Sequence, residues 1–148
     1  MTYKDVGSAE NAGAVFSHSI HVDKTMNKKK LLIIMSNSDP AKPEGCYSPL
    51  FQATIAAALS HEVEVVLTGT SGQLALVDVA KNIEINLDTH STLYDIIHEA
   101  HRAGVSFKVC NTSLQIAAAE LIAEVEERVG AAYVIDEAMD DNTVTFTY

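Results

Sequence analysis

A continuous apolar run at residues 31–35 is the feature that most constrains how this 148-residue chain can fold. It lacks the alternation expected of a strand with one wet face, so it predicts a central strand buried on both faces. Further strand patterns occur at residues 63–67, 105–109, 132–135 and 143–148. Helical patterns lie between most of these strands, which predicts an α/β three-layer sandwich with a mainly parallel five-stranded sheet.

Capping residues mark two of the predicted helices. Ser48 with Pro49 after it predicts the start of a helix that reaches residue 59. Ser91 or Thr92 begins a second helix through residue 103, and Gly104 suits the position just past its end.

A third helix is predicted from about residue 113 to residue 129, where Gly130 ends it. Four acidic residues fall on this segment and are expected on a solvated helix face. They are Glu120, Glu124, Glu126 and Glu127.

The chain is expected to form one domain over residues 28–148, preceded by a polar and partly disordered extension at residues 1–27. Within the extension, the alternating segment 15–22 could add an edge strand or dock on a neighbouring subunit. The start of the chain lacks a secretory pattern, and no run of 18 apolar residues exists.

Charge and cysteine content restrict partners and location. Ten basic and 20 acidic residues give a net charge of −10, which disfavours nucleic acid and anionic membranes as partners. Two cysteines without a secretory signal indicate a reducing compartment, so the expected location is the cytoplasm.

Cys110 is the main candidate for chemistry. Alternation at residues 105–109 predicts a strand that ends at this cysteine, and Asn111, Thr112 and Ser113 after it are helix-capping types. Free backbone N–H groups and the helix dipole at such a helix start favour the thiolate. The alternative reading is a cysteine that merely packs at the end of a strand.

Three segments are expected at the carboxyl ends of the strands, where open α/β sheets place their sites: residues 36–47, 68–72 and 110–112. The predicted pocket residues are Ser36, Tyr47, Thr68, Gly69, Asn111 and Thr112. Cys46 lies in the first of these segments and is a candidate second thiol that resolves an oxidised or persulfidated Cys110, or an incidental loop residue.

Other common sites lack their motifs. The segment 69–72 matches neither GxGxxG nor the P-loop pattern, and neither HExxH nor GxSxG occurs. His98 and His101 are expected on a solvated helix face. The sequence therefore predicts no metal site and no cofactor.

Several ordered segments together resemble the DsrE/DsrF-like family, which includes TusD-type sulfurtransferase subunits. They are the 31–35 strand with its following helix, Glu62-Val63-Glu64-Val65 before Thr68-Gly69, Ala103-Gly104-Val105 before Phe107-Lys108-Val109-Cys110, and the tail from Gly130 to Val144-Thr145-Phe146. The resemblance implies a flavodoxin-like fold, a persulfide on Cys110, and assembly into homo-oligomeric trimers or hexamers.

The expected function is that of a sulfur carrier or sulfurtransferase, which takes sulfane sulfur from a donor protein and passes it to an acceptor protein. Two other functions stay open at this point. One is a non-catalytic ligand-binding or assembly module of the same fold, and the other is a redox switch that uses Cys46 and Cys110.

Overall fold

Five parallel strands form the central sheet, in the order β6-β5-β2-β1-β7. Their bounds are β1 (Lys30–Met35), β2 (Glu62–Leu67), β5 (Ser106–Cys110), β6 (Val125–Val129) and β7 (Thr143–Thr147). A short antiparallel pair lies apart from this sheet and consists of β3 (Glu84–Asn86) and β4 (Ser91–Thr92). The predicted α/β fold with a mainly parallel five-stranded sheet is confirmed.

The structure is a computed structural model that describes residues 28–86, 88–111 and 118–148. The predicted extension at residues 1–27 and the predicted pocket residue Thr112 lie outside these residues. None of the helices in the described ranges has the length and apolar character that crossing a membrane requires.

Helices cover the two faces of the sheet unequally. The helical segments whose bounds lie within the described residues are α1 (Glu44–Ala58), a 3-10 helix (Gly69–Ala75), α2 (Val77–Ala80), α3 (Leu93–Arg102) and α4 (Ala131–Met139). Successive strand residues point to opposite faces. On β1, Ile33 packs in one core with Leu50 of α1 and Ile97 of α3, whereas Leu32 packs on the other side with residues of α4. We call these the α1/α3 face and the α4 face.

Residues 125–139 differ from the prediction, whereas the strand predicted at residues 143–148 is observed as β7. Residues 125–129 form an edge strand instead of the end of a helix, and residues 131–139 form a helix where a strand was predicted at 132–135. Only Val125 and Val129, at the two ends of β6, are buried, and three exposed charged residues lie between them. Apolar residues four positions apart are typical of a helix, so the sequence predicted a helix here. Pairing with β5 and packing of α4 on the sheet outweigh the local propensities.

Helix α1 begins at Glu44, four residues before the predicted start at Ser48. Pro49 therefore lies inside the helix and cannot donate a hydrogen bond to the Gly45 carbonyl. The Ser38 hydroxyl donates to that carbonyl at 3.5 Å. A side chain from the preceding loop thus replaces the missing helical bond, and the helix extends upstream of the proline.

Helix α3 confirms its prediction from capping residues. Thr92 accepts a hydrogen bond from the Asp95 backbone, and the Asp95 carboxylate accepts one from the Thr92 N–H at 2.7 Å. Gly104 follows the end of the helix with φ of +106°, a conformation that favours glycine. This helix leads directly into β5 and so fixes the start of the strand that carries Cys110.

Candidate functional site

Cys110 is the last residue of β5 and lies at the carboxyl end of the sheet. Its side chain belongs to the α4 face, where it packs with Leu32, Val66 and Val129. The residue is 5% exposed and its thiol is not in a disulfide. The strand end predicted for this cysteine is thus observed, with the thiol just below the surface.

Among the described residues, the helix that starts beside Cys110 is α4. It follows β6, the strand that pairs with β5. Val129 of β6 is the register partner of Cys110, and the Asn111 N–H donates to the Val129 carbonyl at 2.8 Å. Gly130 is the N-cap of α4, and it has no side chain that could accept a hydrogen bond from the first backbone N–H groups of the helix. Asn111 is in a turn, and the rest of the helix start predicted at residues 111–113 lies outside the described residues.

A network of charged side chains lies on the α4 face beneath Cys110. The Lys108 Nζ donates to the Tyr133 hydroxyl of α4 at 2.8 Å and lies 4.5 Å from the centre of its ring. The Tyr133 hydroxyl donates to the buried Glu64 carboxylate at 3.0 Å, which also accepts from the Lys30 Nζ at 3.1 Å. Glu137 of α4 forms a further ion pair with Lys30. The network ties β1, β2 and β5 to α4.

Burial and charge compete within this network. Burial disfavours the charged form of Lys108, but hydrogen bonds to Glu127 and Tyr133 and the nearby charge of Glu64 outweigh it and raise the pKa of its ammonium. For the Tyr133 phenol, whose charged form is an anion, burial raises the pKa, and the negative charge of Glu64 contributes to the rise. Lys108 therefore stays protonated and Tyr133 stays neutral at ordinary pH.

Sequence reasoning missed this network, although a signal was present. Lys30, Glu64 and Lys108 each lie two residues before an apolar or cysteine position on the same face of three adjacent strands. Their place in the alternation puts them on one face with Cys110. Matching charges between strands in this way would have indicated an ion-pair cluster.

Cys46 occupies a different environment from the predicted one. It lies in the first turn of α1 instead of a loop, is fully buried, and packs in the core of the α1/α3 face. Burial, together with the negative charge of Asp39, raises the pKa of its thiol. Since Cys110 faces the other side of the sheet, the structure does not bring the two sulfurs together.

Three of the predicted pocket residues meet at the ends of β1 and β2. The Thr68 N–H donates to the Met35 carbonyl at 2.9 Å, and the Ser36 carbonyl accepts from Thr70 at 3.1 Å. Gly69 has φ of +52° and approaches so closely that a Cβ would lie 2.9 Å from the Ser36 carbonyl oxygen. The backbone there is close-packed, which explains the glycine. Tyr47 does not join them, because it lies on the outer surface of α1.

An open groove of about 520 Å³ lies on the outside of α4. Ala132, Tyr133, Ile135 and Asp136 line it. Tyr133 also packs against the apolar cluster that contains Cys110, so its side chain is shared by the groove and that cluster.

Glu124 is buried and does not lie on the solvated helix face predicted for it. Its carboxylate accepts from the Tyr94 hydroxyl and pairs with the His98 Nδ1, each at 2.8 Å. Burial alone would raise the pKa of this carboxyl, but the two bonds outweigh it and lower the pKa. These two interactions of Glu124 hold the segment before β6 against α3, the helix that carries Tyr94 and His98. Among the described residues, no group of three or more His, Cys, Asp or Glu side chains is placed to hold a metal ion.

The fold agrees with a comparison against protein families. The model of the DsrE/DsrF-like family matches residues 29–145. The chain therefore belongs to the DsrE/DsrF-like family, whose members are generally related to sulfur relay. A search among curated proteins finds no significant match to this chain.

Proposed function

We propose that this protein is a sulfur carrier or sulfurtransferase that holds a persulfide on Cys110 and passes the sulfane sulfur to a partner thiol. The observation that carries the proposal is the position of Cys110, at the carboxyl end of β5 and just below the surface. Open parallel sheets of this class place their sites at that edge. Family membership supports sulfur as the group that is carried.

The proposed reaction is a pair of thiol exchanges. The Cys110 thiolate attacks the outer sulfur of a donor persulfide, R–S–SH, and the S–S bond of the donor breaks. R–S⁻ leaves with the electron pair, and Cys110 becomes Cys–S–SH. An acceptor thiolate then attacks the outer sulfur and releases the Cys110 thiolate. No external oxidant or reductant enters, because the sulfane sulfur moves without a net change in oxidation state.

The surroundings of Cys110 suit such a carrier. The packing of Leu32, Val66 and Val129 shields the thiol on the sheet side, which protects a bound persulfide from water. The ion-pair network holds α4 against β5, so the helix start next to Val129 keeps its position during transfer. The network acts as a support and does not contact the thiol in the described structure.

Partners of the carrier are proposed to be donor and acceptor proteins. The open groove beside Tyr133 provides a surface for one of them, with apolar Ile135 next to acidic Asp136. A net charge of −10 favours partners with a basic docking surface. The resemblance to the family also implies self-assembly into trimers or hexamers. Two thiols without a disulfide suit a reducing compartment such as the cytoplasm.

Sulfur loading of two single-cysteine variants tests the proposal. Cys110→Ser and Cys46→Ala are exposed with the wild type to a low-molecular-weight persulfide, and their intact masses are measured. We expect Cys46→Ala to gain sulfur and to lose it again to an added thiol, whereas Cys110→Ser gains none. Equal loading of the Cys110→Ser protein contradicts the proposal.

A non-catalytic ligand-binding or assembly module is the second candidate function. The observation that favours it is the burial of Cys110 among apolar side chains, which is typical of a packing cysteine. The rate of alkylation of Cys110 by iodoacetamide separates the two functions. A rate at neutral pH below that of a free cysteine favours the module, and a faster rate favours the carrier.

A further inference from the structure

The outer surface of α1 carries a stripe of large apolar side chains. Tyr47, Phe51, Ile55 and Leu59 follow one another at intervals of four residues and are 37–51% exposed. The rings of Tyr47 and Phe51 stack with their centres 5.9 Å apart. The opposite side of the helix is buried against the sheet, so α1 is apolar on both sides, as expected of a helix that is covered on both.

Strand β7 extends this surface at the edge of the sheet. Val144 and Phe146 are exposed by 38% and 41% and alternate with threonines, on the face that α1 covers. A groove of about 200 Å³ joins the two elements, since Ala56 of α1 and Val144 both line it, and Lys29, Lys30, Leu31 and His61 complete its lining. The Tyr148 hydroxyl also bonds to Gln52 of α1. We call the combined stripe and strand the α1/β7 surface.

The exposed apolar side chains of this surface come from two uncharged segments of a strongly acidic chain, and the charged residues beside them are the basic Lys29, Lys30 and His61 in the groove. Residues 45–60 and 143–148 contain no Asp, Glu, Lys, Arg or His, although the net charge is −10. A basic partner would gain nothing from such a surface. Two copies of the chain repel each other over most of their surface, and they approach most favourably where both are uncharged.

The two edge strands of the sheet also differ in charge. β6 is an outer strand with Glu126, Glu127 and Arg128 in its middle, and such charges prevent edge-to-edge pairing. β7 is the other outer strand, and its sequence TVTFT has neither a charge nor a proline. An edge strand without these protections is suited to contact with another chain.

We propose that the α1/β7 surface is the contact through which this chain associates with a second copy of itself. The six exposed apolar side chains present on the order of 500 Å². A stable dimer buries roughly 800 Å² per partner, of which somewhat more than half is apolar. The surface therefore supplies the apolar share of one side of such a contact. This inference rests on the self-assembly in the proposed function and is independent of the persulfide chemistry.

Sedimentation velocity of the full chain tests the proposal with three variants. Phe51→Glu and Val144→Lys place a charge on the two halves of the surface, and Met139→Glu places one on α4, where Met139 is 77% exposed. We expect the wild type and Met139→Glu to self-associate. For Phe51→Glu and Val144→Lys, we expect the affinity of self-association to fall by about tenfold or more. Far-UV circular dichroism identifies any variant that fails to fold, and the remaining one then decides.

Two results overturn the proposal. One is a monomeric wild type, as expected if residues 15–22 of the same chain cover the surface. The other is self-association that neither Phe51→Glu nor Val144→Lys weakens. Sulfur loading of each sample is measured in parallel. Loss of association with retained loading supports the surface, and association without loading rejects only the proposed chemistry.

Discussion

The two faces of the sheet are built from different interactions. On the α1/α3 face, two helices pack over a large apolar core that includes Phe107, Leu50 and Ile97. On the α4 face, within the described residues, the short helix α4, which has no fully buried residue, lies over a small apolar cluster and a network of ion pairs. The α1/α3 face accounts for most of the buried apolar side chains. The α4 face buries polar groups between the helix and the sheet, and Cys110 lies on it at the end of β5.

The two cysteines illustrate the consequence of this difference. Cys46 is part of the apolar core, and burial keeps its thiol in the neutral form. Cys110 ends its strand on the α4 face, beside Val129 of the strand that leads into α4. We therefore propose that the α4 face, and not only the carboxyl edge of the sheet, distinguishes the candidate thiol Cys110 from Cys46.

The largest effect on the α4 face is expected from Glu64→Gln. This change removes the buried charge that pairs with Lys30 and faces Lys108, and leaves both ammonium groups less compensated. We expect the free energy of unfolding in urea to fall by about 3 kcal/mol. The matched control is Glu62→Gln on the same strand. Glu62 is 73% exposed at 3.9 Å from the Lys30 Nζ, so about 0.5 kcal/mol or less is expected.

A Glu64→Gln protein as stable as the Glu62→Gln protein would show that the network contributes little. The two faces of the sheet would then differ only in how much of each is covered by helices.

A smaller effect is expected from Glu124→Gln on the other side of the molecule. The carboxyl of Glu124 has a pKa below the ordinary value of 4.5, because Tyr94 and His98 stabilise its charged form. Its contribution to stability is thus present above the pKa of the unfolded chain and is lost as pH falls through the folded value. We expect Glu124→Gln to cost about 1–2 kcal/mol at neutral pH.

The measurement is urea unfolding of the wild type and of Glu124→Gln from neutral pH down to about pH 3. The difference between the two proteins should shrink on acidification. Tyr94→Phe removes one of the two bonds and serves as a control with a smaller pH dependence. A difference that stays constant with pH would contradict the assigned role of the carboxylate.

Much of the fold could be predicted because local patterns and tertiary structure agree there. The apolar run of β1, the capping box at Thr92 and the alternation before Cys110 each specify one structure. They also place Cys110 at the edge of the sheet where function was expected.

Residues 125–139 could not be predicted in the same way. Residues 125–129 bury only their ends, so their period does not identify a strand, and Tyr133, Val134 and Ile135 favour a strand locally but form α4. The environments of Cys46 and Glu124 depend on which face of which element covers them. That information comes from packing between distant segments and is absent from local spacing.

The most direct test of the account compares the two thiols within the same native protein. The wild type is exposed to a low-molecular-weight persulfide, alkylated while folded, then unfolded and digested for mass spectrometry of the peptides that contain each cysteine. The account predicts an additional sulfur atom on Cys110, and an unmodified Cys46 that becomes alkylated only after unfolding. Sulfur on Cys46 at an equal or higher level, or a disulfide between the two cysteines, would contradict it.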